Sequence, residues 1–185
     1  MLIDGNWDKP VWNKVESLTI ANDNDWAPSY KPLTEVKLCY DDKHLYVIFR
    51  VQDRYVKCMT QKQNGPVWQD SCVEFFFSPD PNNSQKYFNI EINCSGYAHM
   101  AYQRVPRIDN DFFTAEDIRA TRIAHTINGL VVEEIEQPME WTIDYRLPFA
   151  LLAKYAEFPY PKKGTTWMVN FFKCAENNSH PHWLS

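Results

Sequence analysis

The sequence predicts an all-β protein, an antiparallel two-sheet β-sandwich of jelly-roll or immunoglobulin-like type, with about ten strands and one short helix. Three observations predict it. Apolar residues recur with period two in one segment after another. The helical period is almost absent. Turn-forming residues interrupt the chain at short, regular intervals.

Taken in order, the clearest strands are the alternating ones. In residues 34–40, Val36, Leu38 and Tyr40 alternate with Glu35, Lys37 and Cys39. In residues 44–51, Leu45, Val47, Phe49 and Val51 share a face. In residues 86–93, Phe88, Ile90 and Ile92 oppose Tyr87, Asn89, Glu91 and Asn93. In residues 141–147, Trp141, Ile143, Tyr145 and Leu147 alternate with Thr142, Asp144 and Arg146. Each is the pattern of a half-buried antiparallel strand. Further strands are expected at residues 15–20, 72–77, 97–102, 120–125, 130–135 and 166–173. Residues 149–155, after Pro148, supply the short helix. Asp41-Asp42-Lys43 links a hairpin, residues 78–84 form a long polar loop, and Asn128-Gly129 is a two-residue hairpin turn. No linker or internal repeat interrupts the chain, so residues 1–185 read as a single domain.

Composition narrows the function classes. With 44% hydrophobic and 23% charged residues, the chain is an ordinary globular one. No apolar run approaches the ~18 residues of a membrane-spanning helix. Nineteen basic against 24 acidic residues, a net charge of −5, and the lack of a basic cluster argue against a nucleic-acid partner. Five glycines in 185 residues argue against Gly-rich phosphate loops. The start, Met1-Leu2-Ile3-Asp4-Gly5, lacks the basic and apolar regions of a signal peptide, as expected if the chain is not exported or a leader has been removed. The five cysteines, Cys39, Cys58, Cys72, Cys94 and Cys174, form no CxxC pair. Most lie in strand-like segments and read as free, buried thiols; one disulfide is compatible with the sequence, which fixes no pairing.

Aromatics are abundant, with 7 Trp, 10 Tyr and 11 Phe, more than a core of this size needs. Some are therefore expected to face a ligand. Trp12, Trp141 and Trp167 sit within apolar alternation and are assigned to the core.

Five ordered segments resemble a known family. Asp4-Gly5-Asn6-Trp7-Asp8-Lys9-Pro10-Val11-Trp12 is similar to D-G-x-(apolar)-D-x-x-x-W, and residues 34–47 to T-x-V-(K/R)-(apolar)-x-Y-D-D-x-x-L-Y-V. Val67-Trp68-Gln69-Asp70-Ser71-Cys72-Val73-Glu74-Phe75 is similar to W-x-D-D-x-V-E-(apolar)-F. Residues 141–149 are similar to W-x-x-E-x-x-I-P-(F/W), and residues 164–173 to G-x-x-W-x-x-N-(F/L)-x-R. Together they resemble carbohydrate-binding module family 9 and its relatives. The resemblance implies non-catalytic binding of an oligosaccharide or polysaccharide end, such as xylan or cellulose, between two Trp rings. It places one ring at Trp68, a polar partner at Glu74 and the second ring at Trp183. It further implies a structural calcium ion, action beside a glycoside hydrolase, and an extracellular, periplasmic or cell-surface location. Departures are Ser71 for the second Asp, Lys173 for Arg, and a chain that stops at Ser185 where relatives commonly continue into a final strand.

The same site follows from chemistry. Sugar faces present C–H groups that stack on aromatic rings, while their hydroxyls need hydrogen-bond partners. Val73, Phe75 and Phe77 point to the core, so Glu74 points away from it on a very apolar strand. Six extended residues span ~20 Å, so Trp68 must sit on a loop that folds back, which Gly65-Pro66 permits. Asn170, Lys173 and Arg104 complete the expected sugar contacts. The polar stripe Asn89, Glu91 and Asn93 is assigned to a solvated face. Two other classes remain open: a glycoside-active enzyme using Asp70 with Glu74 or Glu91, and a haem module using Met59, His99 and Met100. For calcium, Asp41, Asp42 and the Asp80–Asn83 loop offer oxygens without a fixed spacing.

Overall fold

The computed structural model describes residues 1–24 and 27–185. Among the described residues are thirteen strands: β1 (Leu18–Ile20), β2 (Leu33–Tyr40), β3 (His44–Asp53), β4 (Val56–Cys58), β5 (Cys72–Ser78), β6 (Tyr87–Asn93), β7 (Ala98–Val105), β8 (Asp109–Phe112), β9 (Ile123–His125), β10 (Val131–Ile135), β11 (Met139–Pro148), β12 (Met168–Ala175) and β13 (His182–Leu184). Two helices, α1 (Ala115–Thr121) and α2 (Phe149–Leu152), complete them.

The strands form the two expected sheets. One has five strands in the order β1-β2-β3-β11-β9, and the other has six in the order β13-β12-β5-β6-β7-β8. A two-stranded ribbon, β10-β4, lies apart from both. All pairings are antiparallel. Alternation decides which side chains enter the core. Val47, Phe49 and Val51 from β3 meet Phe75, Phe77, Phe88 and Ile90 from the six-stranded sheet, with Trp141 and Ile143 of β11 beside them. Stacked rings knit this layer, Phe75 lying 4.8 Å from Phe171 and Phe77 5.4 Å from Trp167. The outer face of the five-stranded sheet is covered by the N-terminal segment, which lays Trp7 and Trp12 on Tyr46 and Ile48. Lys9 pins that segment down, its ammonium 2.6 Å from Asp4 and 2.9 Å from the buried Asp144.

All ten strands expected from periodicity are present, with shifted ends. Three more, β4, β8 and β13, are too short to show a period. One expected strand is split: residues 115–121 are helical and only Ile123–His125 is extended. The reason is a capping box, in which the Thr114 side chain takes the Asp117 N–H and the Asp117 carboxylate takes the Thr114 N–H. The Asn128-Gly129 turn does not make a hairpin either. The strands on its two sides, β9 and β10, pair with β11 and β4 rather than with each other. All five cysteines are free thiols.

Candidate functional site

One face of the six-stranded sheet packs on the core; its other face is partly open. A groove of about 580 Å³ runs across that open face. Its floor is set by strand register. Glu74 of β5 is paired with Phe172 of β12 on one side and Glu91 of β6 on the other, and Glu91 is paired with His99 of β7. One step along, Phe76 is paired with Asn89. Gln103 and Asn110 continue the polar surface toward the sheet edge.

The walls are aromatic. Trp68 lies in a 3-10 turn, Val67–Gln69, that folds back over the start of β5. Three contacts hold the turn. Val67 is fully buried against Cys72 and Cys174. Asp70 accepts the Met59 and Thr60 N–H groups and the Asn93 amide, all at 2.9 Å. The Gln69 carbonyl accepts the N–H groups of Glu176 and Asn177, which tie the turn to the segment leading to β13. The Trp68 ring stands edge-on to His99 at 5.4 Å. Across the groove Trp183 is 40% exposed and stacks on Phe172 at 5.6 Å. The Trp183 ring is anchored by the pairing of β13 with β12. Ser185 then exchanges backbone bonds with Asn22.

Electrostatically the floor is unusual. Glu74 and Glu91 are only 4% and 6% exposed and face one another across β5 and β6. Burial, then the neighbouring Glu176 carboxylate, pushes Glu74 up to about 7. Burial, then Glu74 and Glu176, pushes Glu91 up to about 9. The pair therefore retains a proton at neutral pH. Glu74 Oε1 accepts the Cys174 thiol at 3.0 Å, and Glu91 Oε1 accepts the Asn89 amide at 2.7 Å. Burial lowers the pKa of His99 and keeps it neutral.

Of the residues singled out in the sequence, Trp68, Glu74 and Trp183 are brought together in this groove. The other three are not. Lys173 points into the sandwich, where it is fully buried, because its parity on β12 is opposite to that of Phe172. Its ammonium lies 2.8 Å from His182 Nε2 and 3.6 Å from Asp53. Arg104 points away from Gln103 and is bound by Asp109 and Asp111 of β8. Asn170 is exposed on β12 and accepts its neighbour's N–H at 2.9 Å, outside the groove lining.

The assignment of Asn89, Glu91 and Asn93 to a solvated face is corrected: Asn89 and Glu91 are buried in the groove floor, and Asn93 is fully buried with its amide on Asp70. Their parity with Glu74 was visible once β5 and β6 are taken as a hairpin across residues 78–84. His99, Gln103 and Asn110 carried no comparable signal. The enzyme and haem arrangements do not assemble. Asp70 is consumed by the loop bonds above. Met100 is buried in the core, His99 faces the groove, and Met59 is exposed at the end of β4. The residues named for calcium do not fit an ion site either. Asp41 spends its oxygens on the Lys43 and His44 N–H groups and the Tyr46 hydroxyl, and Asp80 caps Asn82.

The model of carbohydrate-binding family 9 matches residues 9–185. The chain belongs to this family. Its function is accordingly carbohydrate binding without catalysis. Among curated relatives, an extracellular protein of Arthroderma benhamiae is 27% identical over 169 residues, covering 88% of this chain and 71% of that protein. Among solved structures, a candidate carbohydrate-binding protein of Bacteroides uniformis superposes with a TM-score of 0.82 at 24% identity, over 93% of this chain and 77% of its own. The family 9 module of Caldicellulosiruptor kristjanssonii superposes in its cellotriose complex with a TM-score of 0.65 at 17% identity, covering 100% of this chain and 78% of the module. Its glucose complex gives 0.62 at 17% identity, with coverages of 100% and 80%. These likenesses establish the β-sandwich fold.

Proposed function

We propose that the groove of this family 9 chain holds the end of a glycan between the rings of Trp68 and Trp183, with Glu74 and the polar groups of β6 and β7 taking its hydroxyls. The observation that carries the reading is the convergence of two Trp residues, 115 positions apart in the chain, on the walls of one groove whose floor is polar. A half-buried Trp68 ring and an exposed Trp183 ring on the walls of one groove suit the apolar faces of a pyranose, and buried carboxyl and amide groups suit its edges. The groove's volume lies in the range of small-ligand sites, enough for a chain end rather than a long polymer stretch.

The glucose and cellotriose complexes of the Caldicellulosiruptor module support β-linked gluco-oligosaccharides as the ligand class. Under this reading the protein delivers or retains a polysaccharide for a glycoside hydrolase. Titration calorimetry with cellotriose and glucose tests the proposal. Saturable binding that is lost in both Trp68→Ala and Trp183→Ala supports it. Binding that survives both substitutions places the sugar elsewhere.

A further inference from the structure

The floor of the groove carries buried polar atoms that nothing among the described residues satisfies. Three buried atoms on it have no partner: Asn89 Oδ1, Glu91 Oε2 and His99 Nδ1. All three residues line the groove, and Asn89 and Glu91 are each 6% exposed. Glu91 and His99 are direct cross-strand partners, and Asn89 is two residues along the same face of β6, so the three atoms share one small patch. Asn89 Oδ1 is an acceptor, and Glu91 Oε2 becomes one when its carboxyl gives up the proton it carries in the empty groove. The Asn89 amide donates to Glu91 Oε1, which leaves Oδ1 for a ligand. The neutral His99 ring presents an unpartnered Nδ1, which is a lone pair in the tautomer that carries its proton on Nε2.

A sugar hydroxyl brings one donor and also needs to accept. A primary ammonium brings three donors and accepts nothing. We propose that the groove prefers a glycan end bearing a protonated amine, a 2-amino-2-deoxyhexose, whose ammonium is held by Asn89, Glu91 and His99. This rests on the groove being the sugar site and names the class of sugar it takes.

The charges around the patch agree. Glu74 of β5, Glu91 of β6 and Glu176 beyond β12 face it, with the neutral His99 of β7. Arg107 is the only Lys or Arg among the described lining residues, and its charge acts on Tyr87, two residues along β6 from Asn89, where Glu91 and Glu74 oppose it. Lys173 acts on Glu74 from the core side of the sheet. In the empty groove Glu91 is neutralised by a proton, because burial beside two other carboxyls raises its pKa. An ammonium supplies the neutralising charge instead, so the proton leaves to solvent as the ligand enters. The aromatic walls add cation–π attraction.

The test compares cellotriose with the fully deacetylated β-1,4-glucosamine trimer, which differs from it only in the amines. Calorimetry at about pH 6, where the amine is charged, is run in buffers of different ionisation heat so that released protons are counted. The amine trimer is expected to bind roughly tenfold or more tightly than cellotriose, with proton release. That ratio should fall toward one in Glu91→Gln, its fold checked by melting, and in wild type at about pH 9, where the amine is neutral. Cellotriose binding as tightly as the amine trimer in wild type overturns the inference and leaves the sugar site standing. A ratio unchanged in Glu91→Gln also overturns it. Failure of both trimers to bind at millimolar concentration overturns the inference and the sugar site together.

Discussion

The Lys173 ammonium lies 3.6 Å from the Asp53 carboxylate, with both side chains fully buried between the two sheets. Asp53 ends β3 in the five-stranded sheet and Lys173 lies in β12 of the other, so the pair bridges the sandwich. The rest of the cage is consistent. His182 Nδ1 donates to the His180 carbonyl at 2.9 Å, leaving Nε2 to accept from Lys173. Burial, then the Lys173 charge, pushes His182 down to about 3, so its ring stays neutral.

Lys173→Met should therefore destabilise the fold by about 3–5 kcal/mol, because it leaves Asp53 charged and unpaired in the core. Adding Asp53→Asn should recover part of the loss, since the amide oxygen can still cap the Arg54 and Tyr55 N–H groups. Urea denaturation of the two single variants and the double variant measures this. Additive losses in the cycle would show that the two groups do not interact.

Trp68→Ala should weaken sugar binding by roughly thirtyfold, about 2 kcal/mol, while the melting temperature changes little. The ring stands on the groove wall; the turn itself is held by Val67 and Asp70. Calorimetry and a melting curve on the same sample separate the outcomes. A variant that melts far below wild type would assign Trp68 to the fold.

Stability should fall as pH rises from about 5 to about 9. Glu74 and Glu91 hold protons in the folded state, up to about 7 and about 9, that an unfolded chain releases near its ordinary carboxylate pKa. Within that window the folded state binds more protons, so each such group costs up to roughly 1.4 kcal/mol per pH unit. Glu91→Gln should flatten the profile and raise stability at about pH 8. A profile that rises across this range in wild type would contradict the buried, protonated pair.

Asp117→Ala should cost about 1–2 kcal/mol at neutral pH. Burial alone would raise this carboxyl's pKa, but Lys154 at 2.7 Å, Thr114 and Tyr155 together hold it well below its usual range. The stabilisation is present above the ordinary Asp pKa and is lost on acidification. Denaturation at about pH 7 and about pH 3 should show the variant's deficit shrinking in acid; an equal deficit at both would rule out the charge.

Thiol titration should find five reactive groups after denaturation. In the native protein it should find at most Cys39, the half-buried member; the other four are buried. Fewer than five in denaturant without reductant would reveal a bridge.

The fold was legible because strand periodicity is local. Each of the ten expected strands carries its own inward and outward sides; β2 with β3 and β5 with β6 pair as sequence neighbours, whereas β3 with β11 and β5 with β12 join distant segments that periodicity alone does not match. What escaped was short or masked by competing chemistry. β4 and β13 have three residues each, fewer than two periods. Helix α1 carries one large apolar residue, Ile118, too few to show a helical stripe, and its capping box becomes plain only in the structure. At the site, Trp68 and Glu74 followed from parity and turn chemistry as well as from the family resemblance, and Trp183 from the resemblance alone. Lys173 misled because its motif position says nothing about parity, and parity sends it into the core. Asn89 and Glu91 misled in the opposite sense. A polar stripe on a strand normally means solvent, but here aromatic side chains that rise beside it, Trp68, Phe172 and Trp183 among them, narrow the face to a groove.

The alternation in β6 and β7 divides labour between adjacent positions of the same strand. Phe88, Ile90, Ile92 and Met100 hold the sandwich together, while Asn89, Glu91, His99 and Gln103 touch nothing on that side. A combinatorial library confined to these four outward positions would therefore sample new ligand preferences on an unchanged scaffold. The barrier to diversification is low: one substitution on the outward side can exchange a carboxyl for an amide or a cation without asking the hydrophobic interior to repack.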